Sequence, residues 1–502
     1  MFRISRFHRV KNLESLILFA GLVAISIISK GSLVLKAEQN LDSDQSIPLL
    51  MAKRILELKE FPFFYWGQNY MGLLEVWLAL PFLAILGTTI QTFTIVEIFF
   101  SILLSFVLYL HFKNAGEENL GIAISIIFAM GHPDFNSHLV NVSENYISSL
   151  FLGFSGFYFI RKLFEKDLTD KFYLGIGILF GLAFYNREIL LIILPWMFLV
   201  TAPHWKKNFR KIFHILPGFF IGYLPAILHY LTTPYYRKLV RPSISFSSDL
   251  QPGLNFIKSG LLDSIVMSGD SYFSISMLIP GAIGLFHFFS EKNNLIRKYF
   301  LYYLLGALSS LFLFTASGSY MLVRYYFYLQ CIILFFAAYG LSALYKKQKI
   351  ITIILVAIIG LAFSFQSFQI WKKNLAESQN TPDAKRISEF LTANHLKYGF
   401  CEYWAGYVTS YFSHDKVHCL IYLDKQSDFY SAYQVISNRA DFFLFRKDSP
   451  FEKQFLQTVS QSRKFTKKEI GKLVLYISPI ATLDFLEPNR DALLKELKIF
   501  QK

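Results

Sequence analysis

The chain has 502 residues, 54% of them hydrophobic and 17% charged, against roughly 45–50% and about 25% in ordinary soluble domains. This balance excludes a soluble globular enzyme, a disordered chain and, with three cysteines, a disulfide scaffold. The net charge of +15 fits Lys and Arg gathered in the cytoplasmic loops of a membrane protein, so no nucleic-acid partner is expected.

In chain order, apolar stretches fall at 13–35, 71–87, 92–112, 119–131, 146–160, 172–185, 188–202, 212–230, 273–289, 299–316, 325–345 and 350–369. A bilayer core about 30 Å thick needs about 20 helical residues. The first stretch is too long for a signal-peptide core and reads as a retained anchor. The stretch 71–87 carries Glu75 and Pro81, and as a helix it would be about 25 Å long, slightly short for a span. If it does not cross, the segments on the N-terminal side of the membrane hold 19 Lys and Arg, against 10 in the longer opposite loops. If it crosses, most of that excess moves outside, against the positive-inside rule. The expectation is a polytopic α-helical membrane protein with about eleven transmembrane helices, N-terminus in and C-terminus out. Interfacial helices would lie in the first outer loop, 36–91.

Beyond 370 the composition changes. The runs GFCEYWAGYV, KVHCLIYL, ADFFLFRK and KLVLYIS are strand-length, with helical patterns at 383–394 and 428–438 between them. A membrane domain over 1–370 and an extracytoplasmic α/β domain over 371–502 are expected. Cys401 and Cys419 fall on adjacent expected strands, where a disulfide is geometrically possible. Cys331 is expected to pack within the membrane.

The first outer loop offers the first candidates for chemistry. Asp42 and Asp44 stand two residues apart just after the first span, followed by an amphipathic pattern over 47–58 and the aromatics Phe61, Phe63, Phe64, Tyr65 and Trp66. Such a helix with its aromatics would lie flat on a bilayer. A carboxylate held there, partly shielded from water, can be a base or a metal ligand; Asp44 can equally be the N-cap of the helix.

The run Asp44–Gln45–Ser46, then Met51–Ala52, Phe61–Pro62, and Gly67–Gln68–Asn69–Tyr70–Met71–Gly72–Leu73–Leu74–Glu75 resembles the first extracytoplasmic loop of the polyprenyl-phosphate-sugar-dependent glycosyltransferases. These form the GT-C class, which includes protein mannosyltransferases and the lipid A aminoarabinose transferase. Gln45 and Ser46 depart from the Glu and Ala usual in that loop, and Asp42 could partly substitute for the Glu. The resemblance implies an inverting transfer of a sugar from a polyprenyl phosphate to a lipid, glycan or protein acceptor at the outer face. Asp44 would be the base, with Gln68, Tyr70 and Glu75 beside the substrate. Phosphate leaves without a proton, so positive charge beside it is what helps, and a divalent metal ion is one possible source.

In the second outer loop Asp134 and Glu144 are candidates for a second acidic residue that holds an acceptor or a metal, or are loop caps. Arg187, Glu188 and Arg324 stand at outer helix ends. Arg suits phosphate through its planar fork; an interfacial anchor for Arg324, or a pair between Arg187 and Glu188, are the plainer roles. The basic loop 231–272 could close over substrate or meet lipid headgroups. Glu402, Tyr403, Trp404 and Tyr407 could form a sugar-stacking platform or pack in a core. A transporter or flippase of lipid-linked glycans is the alternative from a different class. It would place its charges at the bilayer midplane, in repeated halves, whereas here they cluster at outer helix ends. A surface-glycan polymerase or ligase is a third reading. The expected site is a bacterial plasma membrane, with the chemistry on its outer side and membrane lipids as neighbours.

Overall fold

The computed structural model describes residues 2–66, 68–165, 169–187, 213–232, 272–290, 327–421, 440–458 and 465–477, with single positions 301 and 435. Its helices in chain order are α1 (Phe2–Leu35), α2 (Ser43–Leu56), α3 (Leu74–Leu86), α4 (Ile90–Asn114), α5 (Glu118–Met130), α6 (Pro133–Leu139), α7 (Tyr146–Glu165) and α8 (Asp170–Asn186). They continue with α9 (Ile215–Gly222), α10 (Leu224–Thr232), α11 (Tyr272–Ser290), α12 (Phe327–Lys347), α13 (Lys349–Glu377), α14 (Asp383–Ala393), α15 (Tyr403–Phe412) and α16 (Pro450–Thr458). The strands are β1 (Phe64–Tyr65), β2 (Gln68–Gly72), β3 (Tyr398–Cys401), β4 (His418–Ile421), β5 (Phe442–Arg446), β6 (Thr466–Ile470) and β7 (Leu473–Ile477). The chain forms two compact units. One comprises Met1–Val34, Thr94–Leu228 and Pro242–Leu375; the other comprises Leu35–Phe93, His229–Arg241 and Ala376–Lys502.

The first unit is helical. Among the described residues three helical segments are long and apolar enough to cross a membrane: Leu13–Leu35, Ile90–Asn114 and Lys349–Glu377. The pair α9 and α10, bent by 53°, makes a fourth as a broken span. Apolar helices at Glu118–Met130, Tyr146–Phe159 and Ser276–Ser290 are shorter, and the expected spans 188–202 and 299–316 lie outside the described residues. The short α5 has a local cause, because Gly131 takes a left-handed φ of 57° and stops it. Where helices meet, glycines set the spacing. A Cβ on Gly181 would sit 2.1 Å from the Phe219 carbonyl oxygen, so α8 and α9 touch backbone to backbone. The buried Lys30 of α1 donates to the Ala129 carbonyl at 2.5 Å, in the last turn of α5, where carbonyls have no intrahelical partner.

The second unit is built on a five-stranded sheet of order β4-β3-β5-β7-β6. β3 runs parallel to β4 and β5, while β7 runs antiparallel to β5 and β6. Alternation along the strands makes two cores. Phe442, Leu444, Leu473 and Leu475 join Ile387, Leu391 and Ala405 on one face. Phe443, Phe445, Val474 and Tyr476 join Phe455 on the other. The run GFCEYWAGYV is not one strand: it is β3 up to Cys401 and α15 from Tyr403. Glu402 makes the break, with an extended backbone and a buried carboxylate that receives the Arg446 N–H at 2.8 Å and Nε at 2.6 Å. Cys401 and Cys419 are joined in a disulfide across β3 and β4.

Candidate active site

The loop after α1 belongs to the second unit, and its helix starts earlier than the expected 47–58. α2 begins at Ser43 because Asp42 is its N-cap: its Oδ1 accepts the Gln45 N–H at 2.8 Å. The cap therefore falls on Asp42 and not on Asp44. Asp44 stands in the first turn, where a carboxylate meets the positive end of the helix. It is half-buried. Pro48, one turn on, has no N–H to give the Asp44 carbonyl.

The Asp44 carboxylate has a partner from the other end of the chain. The Tyr403 hydroxyl, at the start of α15, donates to Asp44 Oδ1 at 2.5 Å. Burial first, and then the Asp44 carboxylate, push the Tyr403 phenol far above its ordinary value, so it keeps its proton and stays a donor. Ser43 Oγ donates to the Tyr403 carbonyl, so neighbouring residues of α2 hold both the side chain and the backbone of Tyr403.

The same interface carries a second polar link. Arg54, fully buried, makes a two-pronged pair with Asp415: Nε to Oδ2 at 3.0 Å and Nη2 to Oδ1 at 2.9 Å. Its guanidinium lies 4.6 Å from the centre of the Trp66 ring, and Trp66 packs at 5.9 Å against Tyr407. Lys53 donates to the His414 carbonyl. The Ile90 N–H, at the start of α4, donates to the Tyr411 hydroxyl at 3.0 Å, and burial pushes that phenol up to about 12.

These contacts correct the expectation that the loop's aromatics face lipid together. α2 buries Ser46, Ile47, Pro48, Leu49, Leu50, Met51 and Ala52 in succession, which leaves no broad polar face. Phe64, Tyr65 and Trp66 are buried, while Phe61 is exposed. The buried Arg54 explains the difference, because its pair with Asp415 and its ring contact draw the loop into a core.

The other candidates of this loop lie close by in sequence. Gln68 is on β2, which pairs with β1 as a short antiparallel hairpin. Glu75 is in the first turn of α3, and both side chains are buried. Gly67 and the side chains of Asn69 and Tyr70 lie outside the described residues.

Arg187 and Glu144 come together in the first unit. Arg187 Nη2 lies 3.3 Å from Glu144 Oε2, and Nη1 donates to the Glu144 carbonyl. The guanidinium also sits 4.1 Å from the centre of the Tyr146 ring. Arg187 is thus a buried link between two loops, and its partner is Glu144. Asp134 is in α6, with its side chain outside the described residues; Glu188, Arg324 and the basic loop 233–271 lie outside them altogether.

Among the described residues there is no group of three or more His, Cys, Asp or Glu that could hold a metal ion. One Asp42 oxygen accepts at the helix cap and one Asp44 oxygen accepts from Tyr403. Of the tail candidates, Glu402, Tyr403 and Tyr407 are buried, and only Trp404, 42% exposed, presents a face. Sequence reasoning missed the Asp44–Tyr403 and Arg54–Asp415 pairs. Each joins residues about 360 apart, and neither has a local pattern.

Residues 72–231 match the family model described as dolichyl-phosphate-mannose-protein mannosyltransferase. No curated protein matches the chain in sequence. Among solved structures, ArnT from Cupriavidus metallidurans in the apo state is 10% identical, with a TM-score of 0.62 over 93% of this chain and 98% of that one. The same protein bound to undecaprenyl phosphate is 10% identical, with a TM-score of 0.59 over 92% and 97%. The oligosaccharyltransferase of Archaeoglobus fulgidus, tethered to an acceptor peptide containing the NVT sequon, is 10% identical, with a TM-score of 0.51 over 86% and 69%. In fold along most of its length, and in the family model over 72–231, the chain resembles the GT-C membrane glycosyltransferases.

Proposed function

We propose that the chain is an inverting membrane glycosyltransferase that moves a sugar from a polyprenyl phosphate to a lipid, glycan or protein acceptor on the outer face. The observation that carries the reading is Asp44, a half-buried carboxylate in the first turn of α2, oriented by a phenol that keeps its proton. It sits at the head of the loop whose sequence resembles the family. The relatives supply the rest: one binds undecaprenyl phosphate and one is tethered to an acceptor peptide.

In this reading the acceptor hydroxyl attacks the anomeric carbon from the face opposite the phosphate. Its proton passes to the Asp44 carboxylate, a bond forms between acceptor oxygen and sugar, and the sugar–phosphate bond breaks. Polyprenyl phosphate leaves with the bonding pair and needs no proton. Arg324, at an outer helix end, is assigned to the lipid phosphate for its planar fork, and Gln68, Tyr70 and Glu75 of the first outer loop are assigned to substrate binding by the resemblance. Arg187, already paired with Glu144, supports the loops and is not assigned to phosphate.

The test uses the purified full-length protein in vesicles with undecaprenyl-phosphate-linked hexose and amino-pentose donors, reading release of undecaprenyl phosphate and acceptor labelling. The expected result is transfer by the wild type and a loss of at least a thousand-fold in Asp44→Asn, with undecaprenyl phosphate binding retained. Transport of the lipid-linked sugar with no change in Asp44→Asn would favour the flippase reading.

A further inference from the structure

The residues that hold the carboxylate of Asp44 come from a part of the chain nearly 360 positions away. We propose that Tyr403 is the positioning residue for Asp44, so that the first turn of α15 completes the transfer site; this rests on Asp44 being the base.

A carboxylate turns freely about its Cβ–Cγ bond unless something fixes it. Tyr403 donates to one of its oxygens at 2.5 Å, and so restricts the plane that the carboxylate takes. Tyr403 is itself held from several directions. Its carbonyl accepts from Ser43 Oγ. Its ring stands edge-on to Trp404 at 5.1 Å and Tyr407 at 5.7 Å. The preceding Glu402 is tied to β5 through its own N–H to the Leu444 carbonyl and through Arg446. Gly406 lets α15 close on the disulfide strands, since a Cβ there would lie 2.8 Å from Ile421 Cδ1 and 2.9 Å from Cys401 Cβ. The Arg54–Asp415 pair clamps the far end of α2 to the turn after α15. A hydrogen bond to a carboxylate stabilises its charged form and so does not strengthen it as a base. The gain from Tyr403 is therefore orientation.

Tyr403→Phe removes one oxygen and keeps the ring. In the assay above, kcat is expected to fall about ten- to hundred-fold, with the KM for the undecaprenyl-phosphate-linked donor and the melting temperature unchanged. In an Asp44→Ala background the same change should cost nothing further, because the phenol has no carboxylate left to orient. Protein with 3-fluorotyrosine at 403, which keeps the donor, should transfer at near the wild-type rate and covers the case in which the Phe variant does not fold. Wild-type kcat in Tyr403→Phe, an equal slowing in the Asp44→Ala background, or a fluorotyrosine protein as slow as the Phe variant overturns the proposal. Loss of transfer in Asp44→Asn alongside normal kcat in Tyr403→Phe removes Tyr403 alone. Normal transfer in Asp44→Asn removes the base assignment and this proposal with it.

Discussion

At the scale of residues, two aspartates two positions apart do different work because a helix begins between them. Asp42 is outside the helix and gives its oxygen to an N–H that the first turn leaves without an intrahelical partner. Asp44 is two residues further in, within the first turn, and meets Tyr403 instead. This division predicts the behaviour of Asp42 variants. Asp42→Ser keeps a side-chain oxygen at the cap and should keep transfer within a few-fold. Asp42→Ala should lower stability by about 1 kcal/mol, the usual cost of a lost N-cap, and reduce transfer by letting the first turn fray. Melting curves alongside undecaprenyl phosphate release check both. A Ser variant as inactive as Asp44→Asn would show that Asp42 acts through its charge, as a metal ligand or second base would.

At the scale of elements, α2 and the turn after α15 are joined by a buried ion pair, and such pairs are asymmetric in their energetics. Removing one partner strands a charge in a low dielectric and costs about 3–5 kcal/mol, whereas replacing both by apolar residues of similar size can be neutral. Arg54→Met alone and Asp415→Leu alone are each expected to lower the stability of the second unit by that amount, and the double variant to recover most of it. Equal melting temperatures for all four proteins would show the pair to be too wet to matter. The elements themselves were legible to different degrees. β4, β5 and β7 fell inside the apolar runs read from the sequence, and α14 coincides with the pattern at 383–394, because local alternation fixes strands and local amphipathicity fixes helices. α15 was read as the end of a strand, since YWAGYV is aromatic and β-branched enough for one; Glu402 reverses that by spending its carboxylate on Arg446. Asp44 stands out as a candidate within its loop, but its contact with Tyr403 does not. Tyr403 reads as one aromatic among several until the fold brings α15 onto α2.

At the scale of the molecule, these contacts constrain topology. Asp44 and Tyr403 touch, as do Arg54 and Asp415, so the loop after α1 and the segment after α13 occupy one side of any membrane. The number of crossings between them must then be even. Counting every apolar stretch from 71–87 to 350–369 gives eleven; leaving out 71–87 gives ten. The described helix there, α3, has 13 residues, about 20 Å of length against a hydrocarbon core of about 30 Å. Its end is set by Gly87 with a φ of 94°. With every other apolar stretch counted as a crossing, charge asymmetry and parity both point to α3 as the one that does not cross; α5 is equally short, so an uncrossed α3 stands as an expectation to be tested. Cysteine labelling tests the conclusion. Lys59, Glu389 and Lys347 are exposed and can each be replaced by Cys in a protein with Cys331→Ser, leaving the Cys401–Cys419 disulfide in place and unreactive. A membrane-impermeant maleimide added to intact cells is expected to label positions 59 and 389 but to reach 347 only after lysis. Labelling of 59 and 389 from opposite sides is incompatible with the Asp44–Tyr403 contact, and would dissolve the proposed site. Labelling of all three from one side would mean that α12 and α13 do not flank a cytoplasmic turn, and the count of spans would have to be redrawn while the site stood.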